Sequence, residues 1–153
     1  MSKVHSKPIV ILVAEDDDED QMLLQEAMEE HKLSNTLKFV SDGEELLDYL
    51  KNRGKYTNKD TYPSPGLILL DLNMPRKDGR EALAEIKADK QLKLIPVVIL
   101  TTSKAEEDII RSYQLGVNSF ITKPVTFEQL VDVSGAIGKY WFEIVELPGR
   151  QME

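Results

Sequence analysis

Short unbroken apolar runs alternate along the chain with segments whose apolar residues recur every three or four positions. Pro8 to Ala14 (PIVILVA) is β-branched and apolar and predicts a first buried strand. A helix is expected over about Glu19 to His31, with Leu23, Leu24, Ala27, Met28 and His31 on one face. Leu37 to Val40 reads as a second strand and Ser41-Asp42-Gly43 as a turn and helix start. Glu44 to Lys51 then reads as a helix with Leu46, Leu47 and Leu50 inward. Leu67 to Leu70, stopped by Asp71, suits a strand covered on both faces. Arg80 to Ala88 predicts a helix packing through Leu83 and Ile86, and Ile95 to Leu100 a strand ending in Thr101 and Thr102. Ser103 caps a helix to about Leu115, Glu106 completes its capping box, and Gly116 closes it. Asn118 to Thr122 is the fifth strand, and Thr126 caps a last helix reaching roughly to Phe142.

Strand and helix thus alternate five times with short connections, which predicts a parallel sheet with helices on both faces. Right-handed crossovers leave few topologies. The expected fold is α/β and flavodoxin-like, a (βα)5 doubly wound parallel sheet in strand order 2-1-3-4-5. The one long connection, Asn52 to Pro65, is polar and aperiodic, and predicts a surface loop in which Tyr56 and Tyr62 are exposed.

The chain has 153 residues, a natural length for one domain, with a core over about residues 8–142 and tails at 1–7 and 146–153. It lacks cysteine and an apolar leader, and no apolar run is long enough to span a bilayer, so a cytoplasmic protein without a membrane segment is expected. The net charge of −8 comes with no basic stripe, which argues against direct nucleic-acid binding. Much of the acidity sits in one run, Glu15 to Asp20. Asp18, Glu19 and Asp20 are suited to cap a helix and face the positive end of its dipole. His5 and His31 are read as solvated and helix-end residues, without a catalytic role.

The expected strand order gathers the carboxyl ends of strands one, three, four and five, where open α/β sheets bind ligands. Those ends carry Glu15-Asp16, Asp71, Thr101 and Lys123. Strand one ends directly at Glu15-Asp16, which favours this pair over Asp16-Asp17. Three crowded carboxylates repel by roughly 4 kcal/mol per pair at about 4 Å. A hard divalent cation relieves this, and oxygen ligands with positions left for water and phosphate suit Mg²⁺. Asp16 and Asp71 are the expected direct ligands, the Asn73 backbone carbonyl a third, and Glu15 a holder of metal-bound water. Lys123 supplies a fixed positive charge and Thr101 a hydroxyl donor. The set suits in-line phosphoryl transfer to Asp71, giving a reactive acyl phosphate and a temporary charge change. That change would bias an equilibrium in the surface beyond strand four.

Ile11-Leu12-Val13-Ala14-Glu15-Asp16, Leu69 to Pro75, Asp78-Gly79, Thr101 and Lys123-Pro124 together resemble the receiver domain of two-component response regulators, over about Ile9 to Trp141. The resemblance implies that a sensor histidine kinase phosphorylates Asp71 with Mg²⁺ present. It implies that Thr101 is the switch hydroxyl, that Lys123 is the family's lysine, and that Phe120 holds the aromatic switch position. It implies that Thr102, where many receivers carry a small residue, bears on access to the phosphoryl group. The 52–65 loop, Asp71 to Glu81, Leu100 to Ser103 and Tyr140-Trp141-Phe142 resemble the small regulators of cyanobacterial phytochrome kinases.

No DNA-binding or catalytic effector follows, so output through a downstream protein target is expected. Val133, Ala136, Tyr140 and Ile144 form a second apolar stripe on the last helix, beside the inward one. A homodimer through helix four, strand five and helix five is the expected use of it. Two rival functions are weaker. An aspartyl phosphatase of this type needs an acid two residues after its nucleophile, and Asn73 stands there. An adaptor that only binds a partner has no need of both Asp71 and Lys123.

Overall fold

In the computed structural model the described residues are 10–30, 36–72, 74, 79–101, 119–123, 125, 126, 128 and 129. Five strands, β1 (Val10–Ala14), β2 (Thr36–Val40), β3 (Leu67–Asp71), β4 (Val97–Thr101) and β5 (Ser119–Thr122), form one sheet in order β2-β1-β3-β4-β5. Every pairing is parallel, so the expected topology is the observed one. Three helices are described: α1 (Asp18–Glu30), α2 (Gly43–Leu50) and α3 (Gly79–Ala88). None is long and apolar enough to cross a membrane.

Strand pleating divides the core between two faces. Leu12, Ala14, Ile68, Leu70 and Ile99 point to one side and pack with Leu46, Leu47, Leu83 and Ile86 of α2 and α3. Ile11, Val13, Leu67, Leu69, Val98 and Leu100 point to the other and pack with Leu24 and Met28 of α1. The unbroken apolar runs follow from this double covering. The apolar stripe of α1 is narrower than its sequence suggests: Leu24 and Met28 are buried, Ala27 is half-buried, and Leu23 is 47 % exposed. His31 lies outside the described residues.

Helix starts follow capping chemistry. Asp42 caps α2 by accepting the Glu45 N–H at 2.8 Å, while Glu45 reaches back to accept the Ser41 N–H at 2.8 Å. At α1 the cap is Asp17, ahead of the expected Asp18, Glu19 and Asp20; its Oδ1 accepts from the N–H groups of Glu19 and Asp20 at 2.8 and 3.1 Å. Asp89 similarly starts a short 3-10 turn at Leu92–Leu94, which no periodic pattern announces.

The 52–65 connection is more ordered than its polar composition suggests. Asn52 takes a positive φ of 52°, which asparagine tolerates, and turns the chain after α2. Its side-chain amide then donates to the carbonyls of Tyr56 and Tyr62 at 2.9 and 3.1 Å. Tyr56 is buried and Tyr62 half-buried, against the expectation that both are exposed. They pack with Tyr49 of α2 as three rings with centroids 4.9 to 5.6 Å apart, and the Tyr49 hydroxyl donates to the Pro63 carbonyl at 2.9 Å.

Burial, and beyond it the neighbouring Tyr56 and Tyr62 phenols, push the Tyr49 hydroxyl up to about 12 from 10.0. The folded state therefore holds this proton more tightly than the unfolded chain, and stability declines as pH rises from about 10 towards 12. Tyr49→Phe is expected to cost about 1 kcal/mol at pH 7 and to remove part of that alkaline decline. Urea unfolding at pH 7 and pH 11 checks both.

Candidate functional site

The site lies at the carboxyl ends of β1, β3 and β5. Parallel pairing sets Ala14 beside Leu70, so Glu15 and Asp71 leave the sheet side by side. The Glu15 N–H donates to the Val40 carbonyl at 3.0 Å and its own carbonyl accepts from the Gln21 side-chain amide at 2.6 Å. These bonds tie the β1 end to β2 and to the first turn of α1. Gln129 donates to the Thr122 carbonyl at 2.8 Å and forms a reciprocal capping box with Thr126, at 3.0 and 3.2 Å, which anchors the chain on both sides of Lys123.

Lys123 Nζ stands among three carboxylates: 2.6 Å from Glu15 Oε1, 3.0 Å from Asp71 Oδ2 and 3.2 Å from Asp20 Oδ2. Glu15 and Asp71 are buried and Asp16 is exposed. Carboxylate oxygens of Glu15, Asp16 and Asp71 lie within 4.8 Å of one another. Glu15 Oε2 accepts the Asp17 N–H at 3.0 Å. Its Oε1 is buried and, although close to Lys123, receives no well-directed hydrogen bond. The convergent all-oxygen set of Glu15, Asp16 and Asp71 fits a hard divalent cation.

Burial, outweighing the pull of Lys123 and joined by the repulsion of Asp71, raises the Glu15 carboxyl from 4.5 to about 7. Burial draws the Lys123 ammonium down, but its close contacts with the Glu15 and Asp71 carboxylates, and their charge, outweigh it and hold it well above the usual lysine range.

The structure thus brings together Glu15, Asp16, Asp71 and Lys123. Thr101 ends β4 one position beyond Leu100, the cross-strand neighbour of Asp71, and faces Thr122 in register. Phe120 is half-buried and packs on the α2 and α3 side of the core. Asn73, Thr102 and the stripe Val133, Ala136, Tyr140 and Ile144 lie outside the described residues, as does the helix expected from Ser103 to Leu115.

Sequence reasoning missed two contributors, Asp20 and Gln21. The signal lies in the cap, which the structure places at Asp17 and the sequence left among Asp18, Glu19 and Asp20. With Asp17 at the cap, Asp20 is the third helical residue, and side chains there lean back toward the helix start. Gly79 also belongs to the site's framework: its N–H donates to the Leu72 carbonyl at 3.0 Å, and a Cβ on it would lie 2.6 Å from the Asp71 carbonyl oxygen.

A family model described as the response regulator receiver domain matches residues 11–134. Response regulator Rcp1 of Synechocystis is 45% identical over 148 residues, 97% of this chain and 99% of Rcp1. The Mn(2+)-bound form of Rcp1 superposes with a TM-score of 0.68 at 44% identity, covering 88% of this chain and 94% of that one. The bacteriophytochrome response regulator AtBRR superposes at 0.80 and 41% identity, covering 86% and 94%. The phosphorylated cyanobacterial phytochrome response regulator RcpA superposes at 0.71 and 45% identity, covering 89% and 95%.

Proposed function

The chain belongs to the response regulator receiver domain family, and on that premise we propose that Asp71 accepts a phosphoryl group from a phosphohistidine of a sensor kinase. An Asp71 carboxylate oxygen attacks phosphorus. The new O–P bond forms as the P–N bond breaks, and that electron pair leaves on the imidazole nitrogen. Hydrolysis of the acyl phosphate returns the carboxylate and inorganic phosphate, so the protein is a phosphoacceptor with at most an autophosphatase activity. The observation that carries this reading is the position of Lys123 Nζ, 3.0 Å from Asp71 Oδ2 and buried enough to act as a fixed charge.

Asp16 and Asp71 would hold Mg²⁺ directly, with the Asn73 carbonyl, and Glu15 through water. When bound, the cation supplies neutralisation of the charge on the transferring group. Lys123 orients the nucleophile and donates to a phosphoryl oxygen. The Thr101 hydroxyl donates to another, and Phe120 follows it in changing the surface beside β5. The proposed output is a homodimer contact through Val133, Ala136, Tyr140 and Ile144.

Several solved structures are described as phytochrome or bacteriophytochrome response regulators, and likeness to them over most of the chain supports a phytochrome-type kinase as the donor. Wild type should gain one phosphoryl mass with acetyl phosphate and Mg²⁺, and radiolabel from a phytochrome kinase with labelled ATP. Asp71→Asn should gain neither, a loss of at least about a thousandfold in rate. Equal uptake by the variant would refute the assignment. Sedimentation showing monomer alone, with and without phosphodonor, would refute the dimer.

A further inference from the structure

Among the described residues, Asp20 is the one carboxylate on Lys123 that the proposed reaction leaves without a part. It sits in the first turn of α1, and its position is determined. The Asp17 cap accepts its N–H at 3.1 Å, and Gln21, the next residue, is tied to the Glu15 carbonyl at 2.6 Å. Its Oδ2 accepts from Lys123 Nζ at 3.2 Å. An ammonium has three N–H donors, and here three carboxylates converge on it. Glu15 and Asp71 both face the shared carboxylate cluster, whereas Asp20 draws the ammonium towards α1.

We propose that Asp20 is a positioning residue for Lys123, holding part of its charge away from Asp71 so that the Asp71 carboxylate stays available to cation and phosphorus. The inference rests on the reading of Asp71 as phosphoacceptor. Without Asp20, Lys123 has two carboxylates left, and its undivided charge falls on Glu15 and Asp71. That charge competes with a divalent cation for the same oxygens. A unit charge removed within several ångströms of a cation at a half-exposed site changes its affinity by roughly tenfold.

The test is calorimetric titration of Mg²⁺ into the full chain with no phosphodonor present, followed by the rate of phosphoryl uptake from acetyl phosphate at saturating Mg²⁺. Asp20→Asn is expected to raise the Mg²⁺ Kd roughly tenfold and to slow phosphoryl uptake at saturation severalfold, while Asp20→Glu restores both to within about twofold of wild type. Asp18→Asn removes the same charge from the same helix turn at an exposed position. It is expected to leave Kd within about twofold, because exposed charges are screened. An unchanged Kd in Asp20→Asn overturns the proposal, and so does an equal rise in Asp18→Asn, which would reduce the effect to bulk charge. Wild type that binds Mg²⁺ but gains no phosphoryl mass would overturn the phosphoacceptor reading alone, since the Kd comparison stands without it.

Discussion

Lys123→Met is expected to abolish phosphoryl uptake and to make the stability of the chain depend more steeply on pH and on Mg²⁺ than in the wild type. The wild-type Lys123 side chain is 15% exposed, and its ammonium touches Glu15, Asp71 and Asp20. Methionine fills similar space but donates nothing, leaving Glu15 and Asp71 buried against each other. Removing one partner of a buried ion pair commonly costs 3–5 kcal/mol, in round figures about 4. The cost here is smaller, about 2 kcal/mol, because burial already raises the Glu15 carboxyl to about 7 and a proton replaces the missing cation. The direction with pH follows. Without Lys123, which lowers it, Glu15 titrates in the folded state still further above its unfolded value of 4.5, so the proton's contribution is complete below about 4.5 and is lost only as pH rises beyond 7. The variant should melt near the wild-type temperature at pH 5 and roughly 6 °C lower at pH 8 without metal. Mg²⁺ should restore most of the difference. Melting curves at the two pH values, with and without Mg²⁺, and the mass after acetyl phosphate treatment are the checks. Undiminished phosphoryl uptake would count against the role of the ammonium.

Gly79→Ala is expected to damage both the fold and the chemistry. A methyl group there meets the Asp71 carbonyl oxygen and the Leu72 Cα, each at 2.6 Å, and the Leu72 carbonyl carbon at 3.2 Å. All three are backbone atoms at the end of β3 and cannot rotate away. Either α3 moves off the sheet or the Asp71 peptide tilts. Overpacking of this kind costs about 3 kcal/mol, or a melting temperature lower by roughly 9 °C. A displaced nucleophile should slow phosphoryl uptake by about a hundredfold. Gly54→Ala makes the contrast. Gly54 has a φ of +59°, but the nearest atom to an added Cβ is a side-chain oxygen 3.8 Å away. Its cost is backbone strain alone, about 1 kcal/mol, with no effect on uptake. Thermal melts and uptake rates of the two variants check the difference, and equal behaviour would refute the packing argument.

The strands and the central chemistry were legible because a doubly covered parallel sheet writes itself as unbroken apolar runs. Asp71 follows Leu67 to Leu70, and Glu15 follows Ile11 to Ala14, each with no residue between. Features decided by three-dimensional return of the chain were not legible. Tyr56 and Tyr62 have polar neighbours in sequence, and their burial depends on Asn52 turning the loop back onto Tyr49. Leu23 fits the helical stripe of α1 but is half exposed, because the described packing there runs through Leu24 and Met28. Within the six-acid run local pattern could not assign roles. The cap at Asp17 does so, setting Asp20 toward Lys123 and leaving Asp18 exposed.

β1 lies between β2 and β3, so the first strand of the chain is already interior to the sheet. A peptide-bond cut anywhere in the 52–65 loop would leave Glu15, Asp16 and Asp20 on one fragment and Asp71 and Lys123 on the other. Neither fragment holds a nucleophile with its full set of acidic neighbours. Phosphoacceptance is in that sense a property of the seam between β1 and β3, and a split protein would regain it only as its two pieces zip together there.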